Sequence, residues 1–160
     1  MYSTVELTMA LWQYHFQLLP NKGFRTLSTG LSLPRDEDGF FDEEPYWKSH
    51  SITSQFFEPV AAFLDKGKPW AKDMLLFGCS DGDCLEVYSR NGTVFSASFR
   101  LKINQDYSHT LMSIIDFCST RSLALVDEHL TVLPYDFATI SQIIENSSQR
   151  RKYDEFAESD

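Results

Sequence analysis

Asn91-Gly92 stands between two runs rich in apolar, aromatic and β-branched residues, 85–88 and 93–103. A two-residue type I′ turn needs positive φ at both central positions, and Asn-Gly meets that need at little steric cost. The spacing therefore predicts a long β-hairpin. A committed hairpin near the middle of the chain biases the whole architecture, because its exposed edges are best satisfied by further antiparallel strands.

The rest of the chain reads consistently with that bias. Val5, Leu7 and Met9 alternate with Glu6 and Thr8, and an aromatic-rich run from Trp12 to Leu19 follows, so residues 3–18 are expected to be extended up to Pro20 and Gly23. Residues 20–50, which hold Pro20, Gly23, Gly30, Pro34, Gly39 and Pro45, show no sustained period and predict a long irregular segment. Phe56, Phe57, Val60, Phe63 and Leu64 fall at helical spacings after a candidate cap at Ser54. Ser108 is the expected cap of a helix burying Leu111, Ile114, Ile115 and Cys118. Residues 122–126 and 130–133 read as two short strands, and Phe137, Ile140, Ile143 and Ile144 as one face of a last helix ending near Ser147. Hairpins and single helices in this order predict an α+β fold: a mostly antiparallel sheet with about three helices packed on it. Residues 1–149 form the expected single domain, and residues 150–160 a polar, mobile tail.

Composition narrows the function classes. A chain of 160 residues with 42% hydrophobic and 14% aromatic residues has the material for one packed core and excludes a disordered or collagen-like protein. The formal charge of −9 argues against a nucleic-acid ligand, whose phosphates are met by clustered Lys and Arg. Glu6, Gln13, His15 and Gln17 interrupt the first twenty residues, which also lack a basic n-region, so no export signal is expected. No run approaches the roughly 20 apolar residues of a membrane span, so no membrane partner is expected either. The three cysteines, Cys79, Cys84 and Cys118, are an odd number and suit a reducing cytoplasm better than a disulfide framework.

No nucleophile elbow, phosphate loop, dinucleotide fingerprint or zinc-protease motif occurs, so no catalytic residue and no cofactor is assigned and a non-enzymatic role is expected. Cys79 and Cys84 lack the second ligand pair a structural zinc site requires, and the acidic segment lacks EF-hand spacing, so no metal is expected. The densest feature is that acidic segment. Asp36, Glu37, Asp38, Asp42, Glu43 and Glu44 surround Phe40 and Phe41. Bunched carboxylates repel one another and steer a basic partner, while two aromatic rings among them suit the centre of an interface. Six of the 23 acids lie here and four in residues 154–160, so the remainder of the chain is nearly neutral.

The run WAKDMLLFGCSDGDCLEVYSRNGTVFSASFRLKI carries a Trp-led turn at Trp70, the Phe77-Gly78 pair, a strand over 85–88, the Asn91-Gly92 turn and a second strand over 99–103. In this order it resembles small bacterial α+β proteins of which some are similar to toxin-immunity proteins; where that family has an Asp near the end of the run, this chain has Lys102 after Leu101. The resemblance extends over about half the chain and implies a protein that occludes the active site of a cognate toxin. The eight residues of the acidic-aromatic segment are then the expected partner surface. The alternatives are a small-molecule sensor or enzyme with a pocket near Trp47, Trp70 and the 78–84 loop, or a subunit of a larger assembly.

Overall fold

The computed structural model describes residues 11–21 and 27–158. Of the early extended run, residues 3–10 lie outside the described residues; the remainder forms β1, Gln13–Pro20. A short helix α1, Glu44–Lys48, and a 3-10 helix, Ser54–Ala62, lead to the strands β2, Met74–Gly78, β3, Cys84–Arg90, and β4, Thr93–Lys102. Helix α2, Ser108–Thr120, strand β5, Leu123–Val126, and helices α3, Phe137–Glu145, and α4, Ser148–Glu158, complete the order.

The five strands make one sheet in the order β2-β3-β4-β1-β5, antiparallel at every pairing. The α+β class stands, with four α-helices and a 3-10 helix among the described residues where about three helices were expected. The predicted hairpin is present as β3 and β4. Asn91 has φ 54° and Gly92 φ 80°, the signs a type I′ turn demands. β1 inserts between β4 and β5, with Phe16 opposite Phe99 and Leu18 opposite Leu125.

Alternation then sorts the sheet into two unlike faces. On one, Tyr14, Phe16, Leu18, Leu85, Val87, Ala97, Phe99, Leu101 and Leu125 join the main core. Trp47 from α1, Phe57 from the 3-10 helix and Phe117 from α2 pack in the same cluster, with Trp47–Phe57 and Phe57–Phe117 ring centroids at 6.3 and 6.0 Å. Each such side chain contributes roughly 1.5–3 kcal/mol by leaving water. The other face carries Gln13, His15, Gln17, Glu86, Tyr88, Ser96, Ser98 and Arg100, beside a small apolar patch of Met74, Leu76 and Cys84.

Several sequence expectations need correction. Residues 54–62 wind as a 3-10 helix with Pro59 inside it, because a proline there cannot donate to an α-helical ladder. Thr53 holds the cap position in place of Ser54, and Tyr107 in place of Ser108, whose amide is taken by Asp106 Oδ1 at 3.0 Å. Residues 130–133 do not form a regular strand. Leu130 has φ 62°, and Thr131 and Val132 make isolated bridges to Ser32 and Val126. The polar range after residue 149 is helical through Glu158: Arg150 Nη1 donates to Ile103 O at 2.6 Å, and Arg150 also pairs with Glu145 and Asp154. β2 has no counterpart among the expected elements.

Candidate functional site

The polar sheet face is the floor of a cleft of about 660 Å³. Gln13, His15 and Gln17 come from β1, Glu86 and Tyr88 from β3, and Ser96, Ser98 and Arg100 from β4. Register brings them together: His15 lies opposite Arg100, Gln17 opposite Ser98, and Ser98 opposite Glu86. Arg35, Phe41 and Glu43 of the acidic loop, Trp70 ahead of β2, and Asp127, Glu128, Leu130 and Gln149 form the walls.

Two ionisable groups at the floor are incompletely satisfied. Arg100, only 4% exposed, places Nη2 3.3 Å from Glu86 Oε1, and its Nε is buried with no hydrogen-bond partner among the described residues. Glu43 accepts from Gln17 Nε2 through Oε2, while its Oε1 is buried without a geometrically acceptable partner. Burial pushes the Glu43 carboxyl up to about 7, against the pull of Ser96, Ala97 and Gln17. His15 moves the other way, down to about 4, through burial and then the Arg100 charge. It is therefore a neutral imidazole at pH 7. Burial, followed by the Glu86 charge, also keeps the Cys84 thiol and Tyr88 phenol protonated, both pushed up to about 12.

The acidic segment is divided by the fold. Asp36 Oδ1 accepts from the Asp38 and Phe40 amides at 2.9 and 2.8 Å, closing a turn in which Gly39 has φ 85°. Asp42 Oδ1 accepts from the Glu44 amide at 3.2 Å, and Glu44 pairs with Arg90 at 2.8 Å. Glu43 points inward, and Phe41 packs against the core beside Tyr46 at 5.6 Å. Glu37, Asp38 and Phe40 remain exposed, Phe40 by 40%. The eight residues thus contribute partly to an outer surface and partly to the cleft wall.

The tryptophans also separate. Trp47 is enclosed in the core, whereas Trp70 is 54% exposed at the cleft rim. The 78–84 loop is tied down as a structural joint: Gln13 Nε2 donates to Ser80 O and Gly82 O at 3.0 and 2.7 Å, and Trp12 Nε1 to Asp81 O at 2.7 Å. Cys79 is exposed and Cys84 and Cys118 are buried, all three as free thiols. His15, Gln17, Glu86, Ser96, Ser98 and Arg100 escaped the sequence reading. Their signal was polar residues at every second position within apolar strands, Gln13-x-His15-x-Gln17 and Ser96-x-Ser98-x-Arg100.

Compared with protein-family models, with curated proteins and with solved structures, the chain shows no significant match. Fold and cleft together define an antiparallel α+β domain carrying a polar cleft of mixed charge. Among the described residues no helix is long and apolar enough to cross a membrane.

Proposed function

We propose that this chain is a non-enzymatic binding protein whose ligand lodges in the cleft on the polar sheet face. The observation that carries this reading is that Arg100 and Glu43 line one cavity and that each has a buried atom, Nε and Oε1, without a hydrogen bond of good geometry among the described residues. An unsatisfied buried polar atom costs free energy that a ligand donor or acceptor removes. The volume falls in the range of small-molecule sites, and Trp70, Phe41 and Leu130 supply apolar wall.

The test is a panel of small carboxylates, amines and zwitterions at millimolar concentration, read by melting temperature and by tryptophan fluorescence, with Trp70→Phe separating the rim signal from Trp12 and Trp47. At least one class is expected to raise the melting temperature and change the Trp70 signal. A panel without effect on either readout removes the reading.

A second reading, an immunity protein that occludes a cognate toxin, is favoured by the exposed Glu37, Asp38 and Phe40 on a turn that Asp36 holds in shape. Here the turn meets a basic cleft and the association rate falls with salt. Candidate toxins from neighbouring genes are the partners to try, and Glu37→Lys combined with Asp38→Lys is expected to slow at least tenfold complex formation with the one that binds. An unchanged rate would exclude the turn as the docking surface.

A further inference from the structure

We infer that the cleft ligand is an extended zwitterion, most simply a short peptide with both ends free, whose carboxylate meets Arg100 and whose ammonium meets Glu43. This rests on the reading of the cleft as a binding site and adds the chemistry of the occupant.

Arg100 argues for the anionic end. A guanidinium presents five N–H donors in a fork that matches a carboxylate bidentately. Its one ion pair among the described residues is the single 3.3 Å approach to Glu86 Oε1, while Glu86 Oε2 accepts from Tyr88 at 3.4 Å. The pair engages Nη2 and leaves the buried Nε–H without a partner among the described residues. The neighbouring His15 is neutral, so it adds no competing cation and can accept or donate a hydrogen bond.

Glu43 argues for the cationic end. The other wall carboxylates, Asp127 and Glu128, each engage one oxygen and have no buried unpartnered one among the described residues: Asp127 Oδ1 accepts from the His129 and Thr131 amides, each at 2.9 Å, and Glu128 Oε1 lies 3.4 Å from Ser148 Oγ and 3.5 Å from His129 Nε2. Glu43, in the cleft wall, keeps one buried oxygen without a hydrogen bond of good geometry among the described residues. A purely anionic ligand would leave that carboxyl unpaired or force it to stay protonated. A purely cationic one would sit against Arg100.

Spacing sets the length. Gln17 binds both Glu43 and Ala97 O, which puts Glu43 at the level where Gln17 faces Ser98. The Arg100 guanidinium reaches Glu86, which faces Ser98 from β3, while Glu43 is held by Gln17, which faces Ser98 from β1; β4 lies between the two partners, and two strand spacings are about 10 Å. A single α-amino acid carries its charges on adjacent carbons and does not bridge such a gap. A di- or tripeptide does, and its side chains meet Trp70, Phe41 and Leu130.

The probe is tri-alanine with free ends, compared by calorimetry at about pH 8 with its N-acetylated, C-amidated and doubly blocked forms and with alanine. Free tri-alanine is expected to bind best, each single block to weaken it at least tenfold, and alanine to bind more weakly than the tripeptide. Glu43→Gln, which is isosteric and keeps an acceptor for Gln17, is expected to weaken the free peptide as much as acetylation does and to make acetylation silent. Arg100→Met with Glu86→Met, which removes both buried charges together and so protects folding, is expected to make amidation silent. Blocked peptides that bind within threefold of the free one, with a Trp70 response, overturn the zwitterion and leave the cleft as a binding site. No response from any panel compound overturns both.

Discussion

Glu43 and His15 sit on one cleft and impose opposite pH slopes. The Glu43 carboxyl moves from 4.5 to about 7 on folding, so between those values the folded chain holds a proton that the unfolded chain has released. Stability falls as pH rises through that window. His15 moves from 6.5 to about 4, so the unfolded chain binds a proton there that the folded chain refuses, and stability rises with pH. The two partly cancel between pH 4.5 and 6.5. Glu43→Gln is expected to stabilise by about 1–2 kcal/mol near pH 8.5, discounted for its partial exposure, and by almost nothing near pH 4.5. Thermal melts of both chains across that range check it; a gain independent of pH would deny the carboxyl its raised ionisation. For the Glu86–Arg100 pair, Arg100→Met alone is expected to cost about 3–5 kcal/mol, because it strands a buried carboxylate, and the double Met variant to recover most of that in urea denaturation.

At the scale of elements, two glycines with the same sign of φ separate conformational from steric cost. Gly92, at φ 80°, has nothing within 4 Å of where a Cβ would stand, so Gly92→Ala is expected to cost about 1–2 kcal/mol from the backbone alone. Gly78, at φ 81°, would place a Cβ 1.9 Å from Asp83 O. Gly78→Ala is expected to cost at least about 1 kcal/mol more, through the forced movement of the 78–84 loop. Equal denaturation midpoints for the two variants would contradict this. The same elements show where the chain was legible. The hairpin was, because Asn91-Gly92 states its backbone geometry locally. β2 was not, because Met74-Leu-Leu-Phe77 is apolar without alternation: Leu76 packs with Cys84 on one face while Phe77 enters the core on the other. The 150–158 range looked like a solvated tail because its anchors are distant, with Arg150 bonded to Ile103 O and Gln149 to Leu11 O.

On the scale of the whole molecule, the α+β class followed from local order, whereas the cleft did not. Its floor exists only after β1, β3 and β4 are laid side by side in register, and although β3 and β4 share one hairpin, the β1 row lies far from them in sequence. The same topology explains why the acidic segment divides: Glu43 is held by Gln17 in the cleft wall, while the 36–40 turn, Asp42 and Glu44 stay at the surface. β1 is among the first described segments of the chain, yet its partners are β4, some eighty residues on, and β5, beyond a hundred. During synthesis β1 leaves the ribosome before either of its two partner strands, and the sheet cannot close on both its edges until Val126 has cleared the exit tunnel. Ribosome-arrested chains of increasing length are therefore expected to stay sensitive to protease until β5 emerges and then to become resistant in one step. Until that moment the aromatic strand Gln13–Pro20 has at most one of its two edges covered by its own sheet, and a chaperone that binds extended aromatic segments has its longest opportunity there.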